Sequence, residues 1–540
     1  MVKVICVHLK FLTMLWILNK GTYIMSQKVI LINLPPTPGF KYKNPGTIYP
    51  ATGILLIGTL LKSRGFSVKV IDGTVRSDYG KRTLETIDKD TVMIGFSVMT
   101  SQVHLALTLS KLIKTKYPNI PIIWGGIHPI LFPEQTVKNP NIDIVVIGEG
   151  SKTVFDLIDY LNGKISLEQI RGIGFKDVSG EAIITKQSEP DDISTLPHFD
   201  YDILDDIEVY LNAKSVYQRE ITTNNNEKLR VMPILTGLGC CYQCQFCINV
   251  ILKRRYRYRS AQSIIDEIKR LQKKHDVNTF IFYDEDFLIN KKRLLEVLDL
   301  IERENLKFYW RIWARANYFR ENYLNKDLIL RMEKNGLRSI VMGAESGSQK
   351  VLDLIKKGIK VENILYSAKM LQGTMITPRY SFIVGLEGEE KDDTYKTYKL
   401  CANLMKTNQK VDIAGPFIFR YYPGSPIFDR IIKNYNIKMP QKIEDWESYL
   451  SDEGYLKLEK MPWLWPGFTK TITILNKEIL IFDRLRNINN IIITAAKKLI
   501  IWRIANLFTK FPIELYSYAF IRKCYHIYLI FRNKYASVRS

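Results

Sequence analysis

Short apolar strands alternate with helical segments along the first part of the chain. Apolar, β-branched runs lie at residues 28–33, 67–71, 92–98, 121–124 and 144–147, and all but the run 92–98 end near Pro or Gly. Helical patterns fill the intervals at 51–63, at 103–116 and from 151 onward. This alternation predicts a parallel sheet with helices on both faces, a doubly wound, Rossmann-like α/β domain over residues 26–190. Two further runs, at 172–175 and 182–185, predict a hairpin that extends the sheet.

A second series of strands begins at Val231. Six predicted strands are separated by helical stretches, at 231–235, 279–283, 308–313, 338–342, 379–384 and 411–419. Because eight strand-and-helix units are needed to close a barrel, residues 229–437 are predicted to form a partial, open (β/α)6 TIM-type barrel. The residues between the two domains, 191–228, include Pro197 and the polar run 222–227 and are interpreted as a linker.

The last part of the chain, 438–540, is helical in pattern, rich in Trp, Tyr and Ile, and basic. From Ile491 to Ser540, nine Lys and Arg residues stand against Glu514 alone. Three charges, at 497, 498 and 503, interrupt the apolar run 491–508, which argues against a membrane-spanning helix. Two interpretations stay open: an amphipathic helix in peripheral contact with a membrane, and a helical cap over the open side of the barrel.

The composition is that of a folded protein with several domains. The 540 residues are 46% apolar, which is enough for several hydrophobic cores. Lys and Arg number 78 against 55 Asp and Glu, which gives a formal charge of +23. Such a surplus suits nucleic acid, an anionic membrane surface or anionic cofactors, and charge alone does not choose among them.

Residues 1–25 stand apart from the α/β domain. A basic start and an apolar run broken by His8 and Lys10 resemble a weak signal peptide. Met25 lies directly before the first strand, which is typical of a natural start. We therefore interpret residues 1–25 as the product of an upstream start codon or as a disordered extension, and we expect a cytoplasmic protein.

The candidate chemistry lies in the loop Thr236–Cys247, which holds four of the seven cysteines. Cys240, Cys244 and Cys247 have a C-x-x-x-C-x-x-C spacing, short enough for one loop to surround a single metal centre. Three thiolates suit iron–sulfur chemistry and leave one iron open.

Two structural alternatives fit this loop less well. A structural zinc site needs a fourth Cys or His close by. The downstream candidates all lie far along the chain: His275, Cys401, Cys524 and His526. A disulfide is disfavoured because adjacent Cys240 and Cys241 are poorly placed to pair and the chain is otherwise poor in cysteine.

The three cysteines, with Phe246 directly before the last one, resemble the motif of the radical S-adenosylmethionine (SAM) enzymes. The resemblance implies that the cysteines hold a [4Fe-4S] cluster whose open iron binds the amino and carboxylate groups of SAM. Electron transfer from the cluster would cleave SAM to a 5′-deoxyadenosyl radical, with Phe246 near the adenine. Cys241 stands where the family usually has Pro and is interpreted as a bystander.

Further resemblances to this family follow the barrel strands, at the end where barrels place their active sites. Asp284 and Phe287 resemble the family's D-x-x-F motif. Glu345 matches the G-x-E-S-G carboxylate that contacts SAM in the family. Arg315 is a candidate contact for the sulfonium side or the carboxylate of SAM.

The loops that follow the strands of the first domain do not match G-x-G-x-x-G, so a nicotinamide site is unsupported. In order and wording they resemble the cobalamin-binding domain of one large branch of the radical SAM family. The candidate cobalamin contacts are Ser97, Gly125, Gly126, His128, Gly148, Glu149 and Gly150. An Asp-x-His-x-x-Gly motif is missing from the sequence, so we expect cobalt without a protein histidine below it. His128 is interpreted as a histidine that only donates or accepts a hydrogen bond.

Together these resemblances imply a cobalamin-dependent radical SAM methyltransferase that methylates an unactivated carbon of a small molecule or natural product. The same branch contains anaerobic magnesium-protoporphyrin monomethyl ester cyclases, so ring formation stays open as the alternative. A reductant such as flavodoxin or ferredoxin is expected as a partner, and nucleic acid is not.

Two other classes fit less well. A tRNA methylthiotransferase needs a cysteine triad near the amino terminus, whereas only Cys6 precedes Cys240. A non-catalytic cobalamin sensor would leave the three cluster cysteines and Glu345 without a role.

Overall fold

The computed structural model describes residues 27–37, 40, 49–212, 221, 227–421, 423–449, 461–486, 488 and 490–512. The extension at 1–25 lies outside the described residues.

A seven-stranded sheet organises the described residues up to 212, in the order β2-β1-β3-β4-β5-β6-β7. Strands β1 to β5 run parallel, and β6 and β7 pair antiparallel as the predicted hairpin. The strands are β1 (Lys28–Asn33), β2 (Ser67–Asp72), β3 (Thr91–Ser97), β4 (Ile122–Gly125), β5 (Ile144–Val146), β6 (Ile173–Lys176) and β7 (Ala182–Ile184). The helices are α1 (Thr52–Ser63), α2 (Tyr79–Thr86), α3 (Val103–Lys116), α4 (Ile127–Leu131), α5 (Pro133–Val137) and α6 (Gly150–Leu161).

The two faces of this sheet carry different helices, as the doubly wound prediction requires. Apolar residues of α1 and α6 pack on one face, and those of α3 pack on the other. The winding reverses at β1, because β2 lies on one side of it and β3 on the other. Open α/β sheets bind their ligands at such a reversal, beside the carboxyl ends of the strands. Here Ser97 pairs with Asn33 and with Gly125, so the predicted loops lie side by side.

The predicted linker is packed rather than extended where the structure describes it. Residues 193–211 form two short 3-10 turns and helix α7 (Ile207–Leu211), and Phe199, Tyr201 and Ile203 are buried in the core. Tyr210 donates a hydrogen bond of 2.6 Å to Asp72 at the end of β2. The apolar side chains of this segment explain the difference, since they gain free energy by burial between the two sheets.

A second sheet of six parallel strands lies within the described part of residues 227–421, in sequential order β8-β11-β12-β13-β14-β15. This open sheet confirms the predicted partial barrel. Its strands are β8 (Val231–Ile234), β11 (Thr279–Phe282), β12 (Tyr309–Ala314), β13 (Leu337–Glu345), β14 (Thr377–Val384) and β15 (Asp412–Ile418), and a separate hairpin follows β8, made of β9 (Gly237–Leu238) and β10 (Arg257–Tyr258). The helices are α8 (Ile248–Ile251), α9 (Ala261–His275), α10 (Lys291–Arg303), α11 (Lys326–Lys334), α12 (Gln349–Leu354), α13 (Val361–Met370) and α14 (Lys391–Thr407).

Helices follow the barrel, as the sequence predicts for the last part of the chain. They are α15 (Pro426–Tyr435), α16 (Trp446–Tyr449), α17 (Phe468–Leu485) and α18 (Ile491–Ala505). Helix α17 packs against the edge strand β15, where the Asn476 side chain donates a 2.8 Å hydrogen bond to the Pro416 carbonyl. In an open barrel the outer edge of β15 has backbone groups that pair with no further strand, and α17 covers this edge. Helix α18 packs outside it, against α14 and α17.

In the described part of the chain, none of the helices combines the length and the apolar composition that crossing a bilayer requires.

Both major apolar clusters contain residues of the two sheets. One cluster includes Leu31 of β1 together with Phe280 of β11. The other includes Trp124 of β4 together with Phe419 and Trp446, which follow β15. The two α/β units therefore share continuous apolar packing. The exact domain boundaries at 190, 228 and 437 stay a prediction.

The D-x-x-F carboxylate, Asp284, forms a buried ion pair with Arg293, and both side chains are 1% exposed. The Thr236 hydroxyl also donates to Asp284, and Arg293 donates to the Thr236 carbonyl at 2.8 Å. The pair thus fixes the residue from which the cysteine loop starts. Phe287 of the same motif packs against the Arg293 guanidinium, 4.4 Å from its carbon to the ring centre.

We predict that Asp284→Ala strongly destabilises the barrel. Removal of one partner leaves the Arg293 charge buried without compensation, which costs about 3–5 kcal/mol. Asp299→Ala is the matched control, because Asp299 also pairs with an arginine, Arg331, but is 67% exposed. Urea unfolding followed by circular dichroism should show a large fall in the midpoint for Asp284→Ala and little change for Asp299→Ala. Equal midpoints would contradict the structural role of Asp284.

Candidate functional site

The cysteine loop is held at its base by the hairpin of β9 and β10. Leu238 pairs with Arg257 and Gly237 with Tyr258, so the residues between them project as one loop after β8. Gly239 starts this loop with φ of +80°, and a Cβ on it would lie 2.2 Å from the Arg255 carbonyl oxygen. A glycine is therefore required for the close approach of the two loop ends.

Within the loop the four cysteines form no disulfide. Cys244 is buried, Cys240 and Cys247 are half-buried, and Cys241 is exposed. Burial raises the pKa of the Cys240 thiol to about 11. Binding of a cluster would require the cysteine thiols to lose their protons, because thiolates rather than thiols bind metal.

Among the described residues, no three His, Cys, Asp or Glu side chains are placed to share a single metal ion. A [4Fe-4S] cluster does not need three side chains around one metal ion, because each of its cysteine thiolates binds a different iron.

Arg315, at the end of β12, contacts the cysteine loop directly. Its side chain is buried, and one guanidinium nitrogen lies 3.9 Å from the Cys244 Sγ. The guanidinium stacks on the Tyr242 ring with 3.6 Å from its carbon to the ring centre. It also donates a hydrogen bond to the Lys357 carbonyl. Arg315 therefore places a fixed positive charge beside a cysteine of the loop.

A chain of buried polar groups continues from this arginine. The hydroxyls of Tyr242 and Tyr318 lie 3.1 Å apart, and Tyr318 donates a 2.8 Å hydrogen bond to Asp286. Asp286 is 1% exposed, and burial raises the pKa of its carboxyl to about 7. The second oxygen of Asp286 has no hydrogen-bond partner among the described residues. This network fixes the orientation of the Tyr242 ring and, through it, of Arg315.

Glu345 ends β13 and has a φ of +62°, in the left-handed region that a non-glycine residue rarely adopts. Its carboxylate accepts a 2.7 Å hydrogen bond from Lys357, and both side chains are about one-tenth exposed. A Cβ on Gly343 would lie 2.2 Å from the Glu345 Oε1 and 2.7 Å from the Lys357 Nζ. The glycine of the G-x-E-S-G motif therefore makes room for an ion pair that lies directly against the strand.

Phe246, the aromatic residue of the cysteine motif, packs toward the end of the barrel. It makes an edge-to-face contact with Phe419, with ring centres 5.9 Å apart. Phe419 belongs to the apolar cluster that also includes Trp124 of the first sheet. The cysteine loop thus borders the apolar packing between the two sheets.

On the first sheet, Gly125 and Gly126 have different surroundings. A Cβ on Gly125 would have no atom closer than 3.9 Å. A Cβ on Gly126 would lie 2.7 Å from the Val98 amide nitrogen, and the φ of Gly126 is +96°. Gly126 is therefore required by the backbone itself, whereas a side chain on Gly125 would begin at an ordinary van der Waals distance from its neighbours.

His128 is fully buried, and burial lowers the pKa of its imidazole to about 3. Its Nδ1 lies 3.3 Å from the Thr100 hydroxyl, and its ring packs edge-to-face on Trp446 with centres 5.5 Å apart. Its Nε2 has no hydrogen-bond partner among the described residues. These contacts agree with a neutral histidine that hydrogen-bonds inside the protein.

The Gly148–Gly150 turn joins the two units. Arg257 of β10 donates to both carboxylate oxygens of Glu149, one of them at 2.8 Å. Glu149 therefore has a protein partner from the barrel. A Cβ on Gly148 would lie 2.7 Å from the Gln187 side-chain nitrogen, and Gly150 begins helix α6. Gly148, whose φ is +106°, therefore has a structural reason to be glycine that does not involve a ligand.

The loops after β4 and β5 thus meet the segments that follow the cysteines. A Cβ on Gly424 would lie 3.1 Å from Ile251 of α8 and 3.2 Å from Leu131 of α4. Beside this point is a cavity of about 500 Å³ with mostly apolar walls, lined by Leu131, Phe132, Pro423, Gly424, Phe428, Asp429, Ile432, Lys433 and Met439. The carboxyl ends of both sheets converge on one region.

Several residues of this region are not indicated by the sequence motifs. Four of them belong to no recognisable sequence motif, and their contacts depend on loops that are distant along the chain: Lys357, Tyr242, Tyr318 and Arg257. The one local signal is Gly358, directly after Lys357, whose φ of +66° marks a turn at the end of a helix.

Two protein-family models match the chain. The model described as B12 binding domain matches residues 43–158, and the model described as Radical SAM superfamily matches residues 234–401. The first covers strands β2 to β5 of the first sheet, and the second begins at the end of β8 and includes the cysteine loop.

Individual proteins are similar over most of the chain. An uncharacterized methyltransferase from Pyrococcus horikoshii is 27% identical over 441 residues, which cover 80% of this chain and 88% of the relative. An anaerobic magnesium-protoporphyrin IX monomethyl ester cyclase from Rubrivivax gelatinosus is 24% identical over 392 residues, 71% of this chain and 66% of the relative.

A solved structure shows the same fold. The cobalamin-dependent S-adenosylmethionine radical enzyme OxsB, with aqua-cobalamin and S-adenosylmethionine bound, matches with a TM-score of 0.64 at 16% identity. The match covers 93% of this chain and 81% of OxsB.

Proposed function

The chain belongs to the B12-binding radical SAM enzymes, and from this we propose that it methylates an unactivated carbon of a small molecule, with a [4Fe-4S] cluster, SAM and cobalamin as cofactors. The observation that carries the proposal is the convergence of the two sheets. The cysteine loop of the barrel and the Gly125 loop of the B12-binding domain lie at strand ends that meet across one boundary. Such an arrangement faces two cofactors toward one substrate.

The residues of the cysteine loop fit a cluster. Cys240, Cys244 and Cys247 are free thiols in one loop, and soft thiolates are the ligands that iron–sulfur clusters take. Arg315 would balance the charge of the Cys244 thiolate from 3.9 Å away. When bound, the cluster and SAM supply a 5′-deoxyadenosyl radical, and cobalamin supplies the methyl group.

The pair Glu345–Lys357 fits the amino-acid end of SAM. A carboxylate and an ammonium group 2.7 Å apart complement the α-ammonium and α-carboxylate of a zwitterion. The low exposure of both side chains strengthens such contacts, because little water competes for them. In this proposal Glu345 and Lys357 bind and orient SAM, and Phe246 packs near its adenine.

The B12-binding domain fits cobalamin at the reversal point of its sheet. Ser97 and Gly125 lie there side by side on neighbouring strands, and we propose them as cobalamin contacts. His128 is turned into the protein and would not serve as a ligand below cobalt. Gly126, Gly148 and Gly150 would shape the loops, and Glu149 would lock them to the barrel through Arg257.

The substrate is proposed to be a small molecule, as the similarity to B12-binding and radical SAM proteins implies. A flavodoxin or ferredoxin would supply electrons. We place the reaction in the cytoplasm, since an open iron site needs a reducing compartment. The similarity to a cyclase keeps ring formation as the second candidate, and product analysis separates the two.

We predict that the wild-type protein, reconstituted anaerobically with iron, sulfide and cobalamin, retains about four irons per chain. A Cys240/Cys244/Cys247 triple Ala variant should retain none, because all three thiolates of the loop are lost. Cys241→Ala is the matched control, since it removes an exposed cysteine of the same loop. Iron analysis and visible spectra of the desalted proteins measure the outcome. Equal iron in the triple variant and the wild type would end the cluster assignment.

Methylation is tested on the same reconstituted protein with SAM that carries a labelled methyl group. We expect S-adenosylhomocysteine and 5′-deoxyadenosine together when a small-molecule extract is supplied, with the label in a new product. 5′-Deoxyadenosine without S-adenosylhomocysteine would favour ring formation. Failure of the desalted protein to retain corrinoid would remove cobalamin from the proposal.

We predict that Lys357→Met weakens SAM binding roughly 10- to 100-fold, the equivalent of a lost hydrogen bond between charged groups. Lys356→Met is the matched control, because the neighbouring lysine is exposed. Lys357→Arg should retain much of the affinity, since it keeps the charge. Isothermal titration of the reconstituted proteins with SAM gives the dissociation constants. Identical constants for Lys357→Met and Lys356→Met would contradict the role of Lys357.

We predict that Arg315→Gln makes the reduction potential of the cluster more negative, on the order of 50 mV or more, because a positive charge close to the thiolate favours the reduced cluster. Arg320→Gln removes an exposed arginine of the next turn and serves as the control. A redox titration followed by electron paramagnetic resonance measures both potentials. A shift in the opposite direction, or the same shift in both variants, would contradict the electrostatic role of Arg315.

A further inference from the structure

Helix α18 (Ile491–Ala505) is apolar on the side that faces solvent. Ile491 is 85% exposed, Ile492 74%, Leu499 41% and Trp502 49%. At about 100° per residue these four side chains fall within about 100° of arc on the helix surface. We call them the α18 face. A surface helix normally places polar residues outward, so this side of the helix is unusual.

The opposite side of α18 is already used for packing. Ile500, Ile501 and Ile504 are buried, and the helix packs against α14 and α17. The α18 face is thus a second apolar side, separate from the one that stabilises the fold. Ile488 and Phe511, which precede and follow the helix in the chain, are 46% and 78% exposed. Several large apolar side chains exposed on one side of a helix mark an interaction site.

The charges that interrupt the apolar sequence are largely turned away from this face. Lys497 donates hydrogen bonds of 2.9 Å to the carbonyls of Arg486 and Ile488. Arg503 is buried and donates to the carbonyls of Lys510 and Phe511, at 2.8 and 2.6 Å. Both side chains therefore stabilise neighbouring turns through hydrogen bonds, and Arg503 stabilises the turn that contains Phe511. Of the three charged side chains in α18, Lys498 is exposed, Lys497 is half-buried and Arg503 is buried.

The surroundings of the α18 face are positive. The described residues 461–486, 488 and 490–512 contain eight Lys and Arg against two acidic residues, a surplus of six in a chain whose total is +23. Of the two acids in the described part of this region, Glu478 is buried and Asp483 lies 3.5 Å from Arg486. Glu478 is fully buried and Asp483 is 14% exposed, so neither contributes a fully exposed negative charge. A second copy of the same basic surface would be repelled, whereas an anionic surface would be attracted.

We propose that the α18 face docks the protein on an anionic membrane surface. Isoleucine and leucine side chains would enter the boundary between head groups and acyl chains, and Trp502 has the amphipathic ring that is enriched at that depth. Lys498 of α18 and the exposed Lys510 that follows the helix would contact the anionic head groups. The helix lies on the membrane and does not cross it. The inference does not depend on the reaction that the protein catalyses.

The test is sedimentation of the full-length protein with vesicles. Wild-type protein should bind vesicles of phosphatidylcholine with phosphatidylglycerol, bind pure phosphatidylcholine at least tenfold more weakly, and lose much of the binding in high salt. Leu499→Glu should weaken binding at least tenfold, because it places a carboxylate in the face. Leu330→Glu is the matched control, since Leu330 is 44% exposed on the distant helix α11, and it should bind as wild type does.

Three results would overturn the proposal. The first is equal binding to both kinds of vesicle, or none. The second is an equal loss of binding in Leu499→Glu and Leu330→Glu. The third is a dimer in light scattering that Leu499→Glu converts to monomer without an effect on vesicle binding, which would assign the face to a second copy. Circular dichroism of each variant checks that the fold is retained, and Trp502→Ser provides a second variant without added charge.

Discussion

The guanidinium of Arg315 connects three loops of the barrel that are distant in sequence. It lies at the end of β12, contacts Cys244 of the loop after β8, and donates to the Lys357 carbonyl beyond β13. A planar group with several donors suits this position, because it stacks on the Tyr242 ring while its edges reach other partners. Lys357 in turn pairs with Glu345. The cysteine loop and the proposed SAM contacts are therefore held in one rigid unit, which is a condition for a site whose groups must be preorganised.

The boundary between the two sheets depends on a different kind of interaction. Most of the boundary is apolar packing between residues of both units. Because apolar contacts are not directional, they hold the two units together but do little to fix their relative orientation. The Glu149–Arg257 pair adds direction, since two hydrogen bonds between charged groups fix one geometry. It joins the end of β5 to the hairpin from which the cysteine loop projects. Helix α17 closes the open edge of the barrel on the far side, at β15. The Glu149–Arg257 pair and helix α17 both stabilise a barrel whose six strands do not close into a ring.

Local patterns predicted the architecture well, and the exceptions have clear causes. Alternating strands and helices were sufficient for both sheets and for the hairpin of β6 and β7, since each is specified by neighbouring residues. The predicted linker is packed because Phe199, Tyr201 and Ile203 find a shared core that the local sequence does not reveal. Polar residues at strand ends were recognisable as candidates, yet their partners were not. Glu149 is the clearest example, because its Arg257 partner lies 108 residues away.

The sequence by itself determined the cysteine spacing, the order of the two α/β units and the basic end of the chain, because these are properties of neighbouring residues. Only the tertiary structure decided what each polar group contacts. Asp284 stabilises the start of the cysteine loop, and His128 is buried against Trp446. In α18, the charges that interrupt the apolar run include two that turn inward to hold carbonyls, so that an apolar side remains outside. Ion pairs and hydrogen bonds between distant segments depend on how the chain packs, and no local pattern encodes that packing.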